Sequence, residues 1–209
     1  MKGRVEYIDY KTAVDFLLPR HYSGRVPTIS YAFGWYFGKE LKAVCTFGKP
    51  ASPYVCTGVC GEKWKSQVYE LNRLCRTDDL EEPLSQFVSA CLRRLRPYNL
   101  IIVSYSDTGM NHHGYIYQAC NFIYTGATKA RTDIFTGEKH ARHYNKPEIQ
   151  KYRQVRTAKH RYVFFCSMLP RVKKEMRNDL KWKVEEYPKG DNDYYTLGEY
   201  QKPILVEMG

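Results

Sequence analysis

The chain has 209 residues, 43% of them hydrophobic and 26% charged, with a formal net charge of +11. This suits one large domain with a real core, and no apolar run approaches the ~18 residues of a membrane span. Met1 to Tyr10 hold no signal-peptide stretch, so a cytoplasmic location is expected, and seven scattered cysteines argue against a disulfide framework and supply no four-ligand zinc spacing.

Thr12 to Leu18 reads as a short helix stopped by Pro19, followed by the polar loop Arg20-His21-Tyr22-Ser23-Gly24-Arg25. Tyr31 to Phe37 and Leu41 to Phe47 are aromatic and aliphatic runs parted by Gly38-Lys39-Glu40, a β-hairpin signal. Gly48 to Gly61, rich in Gly, Pro, Ser and Thr, reads as loop. Val68 to Leu74 reads as a strand, with Val68, Glu70, Asn72 and Leu74 on one side and Tyr69, Leu71 and Arg73 on the other. Leu84, Phe87, Val88, Cys91, Leu92 and Leu95 form one apolar helical face, with Glu81, Glu82 and Pro83 in its first turn and Arg93, Arg94 and Arg96 at its end.

Leu100 to Tyr105 is a continuous apolar strand of the buried, parallel type. Ser106 to Asn111 reads as a polar turn into a short helix, Gly114 to Cys120. Phe122 to Tyr124, Thr128 to Phe135 and Arg161 to Cys166 read as strands, with a turn at Thr136-Gly137-Glu138-Lys139. The order predicts an α/β fold of the α+β kind, with a central, mostly antiparallel sheet flanked by helices. Residues 1–170 form the expected domain, its basic part beginning near 128, and 171–209 form an extension packed back on it.

The charge is uneven. Between Thr128 and Lys183 there are 16 Lys and Arg against 5 Asp and Glu, and the rest of the chain is balanced at 17 of each. A polyanion is the natural partner of such a segment, since every phosphate neutralised releases a counterion. Tyr144, Tyr152 and Tyr162, interleaved with the charges, suit nucleic acid. The plainer alternative is a solvated basic face. Arg131, Arg142, Lys146, Arg153, Arg156, Lys159, Arg161, Lys173 and Lys174 are the candidate phosphate contacts.

Candidate chemistry gathers in three stretches: Glu70-Leu71-Asn72-Arg73-Leu74, Ser104-Tyr105-Ser106-Asp107, and Asn111 to Gly126. Asp107 ends a buried strand, where α/β sheets place ligands, and is the candidate base or base binder; the alternative is a capping aspartate. Ser106 beside it, and His112 and His113 at the next helix, are candidate acid–base groups. Glu70 is a further candidate, against a structural salt bridge with an arginine. Arg20, His21 and Tyr22 are placed to close over a substrate. Tyr22, Trp35, Tyr105 and Tyr115 are candidate stacking partners for a base. His112-His113, His140-x-x-His143 and Asp107 lack the spacing of a metal site, and no metal is expected.

The run from Asn111 resembles the last signature of the GNAT N-acyltransferase superfamily. There an Asn opens a short helix, a Tyr follows about six residues later, and a small residue plus Phe starts the next strand. Asn111, Tyr117 and Asn121-Phe122 stand in those places, with Asn121 where Gly is usual. The resemblance implies that Tyr117 protonates the leaving group.

Taken with the loop Leu18 to Gly24, E-L-N-R-L at Glu70, Ser85-Gln86-Phe87, S-Y-S-D at Ser104 and G-Y-I-Y-Q-A-C-N-F-I-Y-T-G at Gly114, the set resembles the bacteriophage Mom family of DNA modification proteins over roughly residues 15–135. The resemblance implies a GNAT-like transferase that puts a glycine-derived, carbamoylmethyl-type group on N6 of adenine in phage DNA and so shields it from host restriction. It also implies donor binding by Asn72, Arg73, Arg76, Ser85 and Asn111. One departure matters. GNAT enzymes seat the pyrophosphate of acetyl-CoA on a Gly-rich turn, but Arg73 to Gln86 contains no glycine and four acids, Asp78, Asp79, Glu81 and Glu82. An acyl-CoA donor and an aminoacyl donor such as glycyl-tRNA both stay open. So do a CoA-dependent N-acetyltransferase acting on a small molecule or protein, a nucleic-acid-binding protein without catalysis, and the oligomeric state.

Overall fold

The computed structural model describes residues 3–134, 152–191 and 204–207. The described chain opens on an edge strand, β1 (Arg4–Tyr7), and a helix, α1 (Tyr10–Leu17). Asp9 caps that helix, its carboxylate accepting from the Thr12 amide and hydroxyl at 2.8 and 2.7 Å. The expected hairpin follows as β2 (Tyr31–Phe37) and β3 (Glu40–Gly48), turned by Gly38 at φ 61 and Lys39. Then come α2 (Pro53–Gly58), β4 (Val68–Arg76), α3 (Leu84–Leu95) and β5 (Leu100–Asp107). Further on lie α4 (Tyr115–Ala119), β6 (Ile123–Ala127), β7 (Arg131–Ile134), β8 (Tyr152–Arg156), β9 (Lys159–Cys166), α5 (Pro170–Asn178) and β10 (Leu205–Glu207).

The main sheet runs β1-β2-β3-β4-β5-β9-β6, and β10-β8-β7 form a small second sheet. All pairings are antiparallel except β4 with β5. The fold is thus a mixed α/β one. Because α3 connects β4 to β5, the two strands run side by side in the same direction. Strand β5 alternates between two cores. Leu100 and Ile102 join the cluster that holds Phe87, Val88, Cys91, Leu92 and Leu95 of α3. Ile101 and Val103 join the other, with Val59, Trp64 and Met176 of α5. A third cluster seats Ala13, Phe16 and Leu17 of α1 over Val44 and Cys75.

Several local expectations are corrected. The stretch expected as loop after Gly48 contains α2, because Pro53 sits in its first turn, where a missing N–H costs nothing. Pro83 is the N-cap of α3, so Glu81 and Glu82 precede the helix. Ser106 and Asp107 continue β5, paired with His160 and Lys159 of β9, and the turn begins only at Thr108. Strand β4 does not keep two clean faces. Leu71 pairs with Phe47 and Arg73 with Thr46, so Asn72 is an extra residue, a β-bulge. As a result Val68 packs in one core and Leu74 against the other. Among the described residues no helix is long and apolar enough to cross a membrane.

Candidate active site

The C-terminal ends of β4 and β5, the first turn of α3, α4 and strand β8 surround a cleft of ≈ 1090 Å³. Strands β4 and β5 pair only from Val68 to Leu71 and from Ile101 to Ser104, and their parting beyond that point opens it. Asn72 spends its amide on holding the preceding loop: Nδ2 donates to Thr28 O at 2.8 Å and Oδ1 accepts from Thr46 Oγ1 at 2.7 Å. Gly48 makes room for that loop, since a Cβ there would lie 1.7 Å from Thr28 O.

Glu70, Asp78 and Asp107 line the cleft, and the surroundings of Glu70 and Asp107 differ. Asp107 is 5% exposed and fully engaged. Its Oδ2 accepts from Lys159 Nζ at 2.8 Å, and its Oδ1 from Gly109 N at 2.9 Å and from the Thr157 hydroxyl. Burial pushes its pKa up, but those donors and the Lys159 charge together outweigh burial and hold it below the usual range. Glu70 has the opposite balance. Burial pushes it up to about 7 against the weaker pull of Arg73 and Lys159. Of the two, Glu70 is the group poised to accept a proton near neutral pH.

The neutral groups surround Glu70 and Asp107. Ser106 is 6% exposed, and its hydroxyl has no hydrogen-bond partner among the described residues. Gly114, at φ 76, leaves space beside it; a Cβ there would come within 2.9 Å of Ser106 Oγ and 2.6 Å of the Tyr162 ring. Burial raises the Tyr117 pKa well above that of a free tyrosine, with Ser104 pulling it the other way. Tyr22 is raised to about 12 by burial and then by the Asp107 charge, and Tyr105 to about 12 by burial and then by Glu70. His21 stacks on Tyr22 with centroids 4.4 Å apart, and Tyr22 meets His112 edge-on at 6.3 Å. Burial holds His21 neutral, its pKa lowered to about 3, and its Nδ1 accepts from Ser23 N.

Glu70, Asn72, Arg73, Arg76, Ser85, Ser106, Asp107, His112, Tyr117, His21, Tyr22, Arg156 and Lys159 all line the cleft. Tyr105 and Tyr115 line it as well, and the described candidates that follow do not. Asn111 takes φ 49 and donates to Asp191 O at 3.1 Å. Arg20 lies over the Phe16 ring at 4.4 Å and donates to Phe16 O. Arg161 stacks on Trp182 at 3.8 Å and is bonded to Thr125. Arg153 is bonded to Thr132, and Arg131 is paired with Asp133. Trp35 is buried against Phe87 with rings 5.3 Å apart, so it does not stack on a base. Arg142, Lys146, Tyr144, His140 and His143 lie outside the described residues. Sequence reasoning missed Thr157, Gln154 and Ile204 of the cleft wall. Among the described residues no group of three or more His, Cys, Asp or Glu is arranged to hold a metal ion.

The end of the cleft between β4 and α3 bears on a diphosphate in both senses. Asp78 lines it, while the first turn of α3 carries no side-chain cap on its amides, and of the guanidinium nitrogens there Arg76 Nη1 is turned to Leu80 O at 2.8 Å. Arg73 Nε is the exception, buried and without a partner among the described residues.

A family model described as the Mom protein family matches residues 2–189. A curated relative, "Methylcarbamoylase mom" of Escherichia phage Mu, is 29% identical over 140 residues, or 65% of this chain and 58% of the phage protein. The match thus spans less than two thirds of that relative's length. Similar solved structures include a Bacillus subtilis acetyltransferase in complex with CoA (17% identity, 78% of this chain and 99% of that one, TM-score 0.44). The ribosomal-protein-S18-alanine N-acetyltransferase from Escherichia coli is 8% identical, covering 80% and 96% of the two chains at TM-score 0.48. At TM-scores below 0.5 these likenesses say nothing of ligand or reaction.

Proposed function

The chain belongs to the Mom protein family, and from that premise we propose that it transfers a small glycine-derived, carbamoylmethyl-type group to N6 of adenine in phage DNA, so protecting the DNA from restriction. The observation that carries this reading is the contrast between Glu70, whose carboxyl burial pushes up to about 7, and Asp107, held as a hydrogen-bonded anion elsewhere in the wall of the same cleft.

The exocyclic amine of adenine is a weak nucleophile because its lone pair is delocalised. Attack on an activated glycyl carbonyl joins N6 to the carbonyl carbon, giving a glycyl amide isomeric with the carbamoylmethyl product, and needs a proton acceptor on the amine, a donor to the carbonyl oxygen and an acid for the leaving group. Glu70 takes the proton as the C–N bond forms. Ser106 Oγ and Arg73 Nε, two of the buried cleft donors without partners among the described residues, serve the developing oxyanion. Tyr117, neutral at any working pH, returns a proton to the departing group. Asp107 and Lys159 hold the strand ends that carry these groups. The base must leave the DNA stack to reach Glu70, and Tyr22 and Tyr105 offer faces to receive it.

The acidic, glycine-free turn between β4 and α3 favours a carrier without a diphosphate, such as an aminoacyl ester on tRNA, over an acyl-CoA. It also weighs against the second reading, a CoA-dependent N-acetyltransferase of a small molecule or protein.

The test is protection. Plasmid DNA from cells expressing the wild-type chain is challenged with a restriction endonuclease whose site contains adenine. Resistance lost with Glu70→Gln is expected; equal cleavage of both DNAs contradicts the proposal.

A further inference from the structure

The small sheet β7-β8-β10 carries an electrostatic conflict that packing does not explain. Arg131 and Arg156 are directly opposite each other on β7 and β8. Like charges so placed repel across one inter-strand step of about 4.8 Å. Asp133 lies between them, 3.3 Å from Arg131 Nε and 3.1 Å from Arg156 Nε. One carboxylate balances only one of the two guanidinium groups. No described residue of this sheet joins any of the three cores, so burial beneath it does not offset the repulsion.

The position of the pair gives the conflict a purpose. Arg156 lines the cleft, and Arg131, on the same face of the ribbon, has 73% of its side chain exposed. The two guanidinium groups therefore stand in the cleft wall and on the exposed surface next to it, while Lys159 at the start of β9 is already paired with Asp107 at 2.8 Å. Guanidinium groups match phosphate oxygens with paired N–H donors. A phosphodiester strand entering the cleft would supply the anions that Asp133 does not.

We propose that the β7–β8 ribbon grips two backbone phosphates of duplex DNA beside the adenine seated in the cleft, with Asp133 as a competing anion that weakens the grip. The proposal rests on DNA being the substrate, and it adds which element holds the duplex and what restrains it.

The test is salt-dependent binding of a fluorescent duplex to the full chain, with an RNA hairpin in parallel. Each phosphate contact contributes about 0.9 to the slope of log K against log salt. The Arg131→Gln/Arg156→Gln double variant is expected to lose about 1.8 from the duplex slope. Asp133→Asn is expected to bind the duplex more tightly than wild type, which a merely structural role for the ion pairs would not produce. An unchanged slope in the double variant, weaker binding by Asp133→Asn, or a slope loss seen with RNA alone overturns the proposal. Modified deoxyadenosine from wild-type cells is read separately. Its absence with the slope loss intact would sink the proposed function alone; its presence with an unchanged slope would sink this inference alone.

Discussion

Asp107 and Lys159 are register partners on β5 and β9, and their side chains meet at 2.8 Å although 52 residues separate them. This contact ties the end of the central strand to the strand that follows the small sheet. Replacing Asp107 by Asn removes the charge and unbalances three donors, at a cost of about 1–3 kcal/mol in a thermal or urea melt. The carboxyl is depressed in the fold, so its contribution is present above 3.8 and is lost as pH falls through its lower folded value. The gap between wild type and Asp107→Asn should be full at pH 7 and close only in strong acid. A gap unchanged at pH 2 would show that the charge contributes nothing.

Glu70 gives the opposite pH signature. Its pKa rises from 4.5 to about 7 on folding, so the folded state holds a proton that the unfolded chain releases. Stability tied to this group is present below 4.5 and is lost as pH rises through 7. Glu70→Gln should therefore melt with wild type at pH 4, exceed it at pH 8, and abolish transfer at both. A variant less stable than wild type at pH 8 would mean that the carboxylate is paired in the fold.

How far the sequence foretold these features depends on how local their causes are. The apolar periodicity of Leu84 to Leu95 and the run Leu100 to Tyr105 gave α3 and β5 because each writes its burial into neighbouring residues. Strand β8 reads Tyr-Arg-Gln-Val-Arg and packs on no core, so no apolar alternation marks it. Helix α5 buries Met176 with little other apolar surface, too little for a periodic signal. Asn121 stood out as a departure from glycine, and the backbone explains it: φ is 60, a conformation asparagine tolerates. The unlike acidities of Glu70 and Asp107 were hidden because the first comes from burial in the fold and the second largely from Lys159 and Thr157, 52 and 50 residues away.

His21 is expected to stay neutral throughout the working range. Its pKa of about 3 reflects burial first and then the Arg73 charge. Nitrogen-detected NMR should record a single neutral tautomer between pH 5 and 8, protonated at Nε2, because Nδ1 accepts from Ser23 N. Titration of that ring near 6.5 would mean that the loop over the cleft is open to water.

Gly48→Ala tests the loop that the bulge holds. A Cβ 1.7 Å from Thr28 O cannot be accommodated without moving the 18–30 segment or β3. A loss of about 2 kcal/mol or more is expected, with transfer impaired beyond the loss of folded protein. Full stability and full transfer would show that the loop is free to shift.

The most direct measurement of the central claim is the mass of the nucleosides released from DNA of cells expressing the wild-type chain, beside cells expressing Glu70→Gln and cells fed isotope-labelled glycine. The account predicts a modified deoxyadenosine with the wild type alone, its mass raised by the glycine label. Unmodified deoxyadenosine in every sample, with soluble folded protein present, would contradict it.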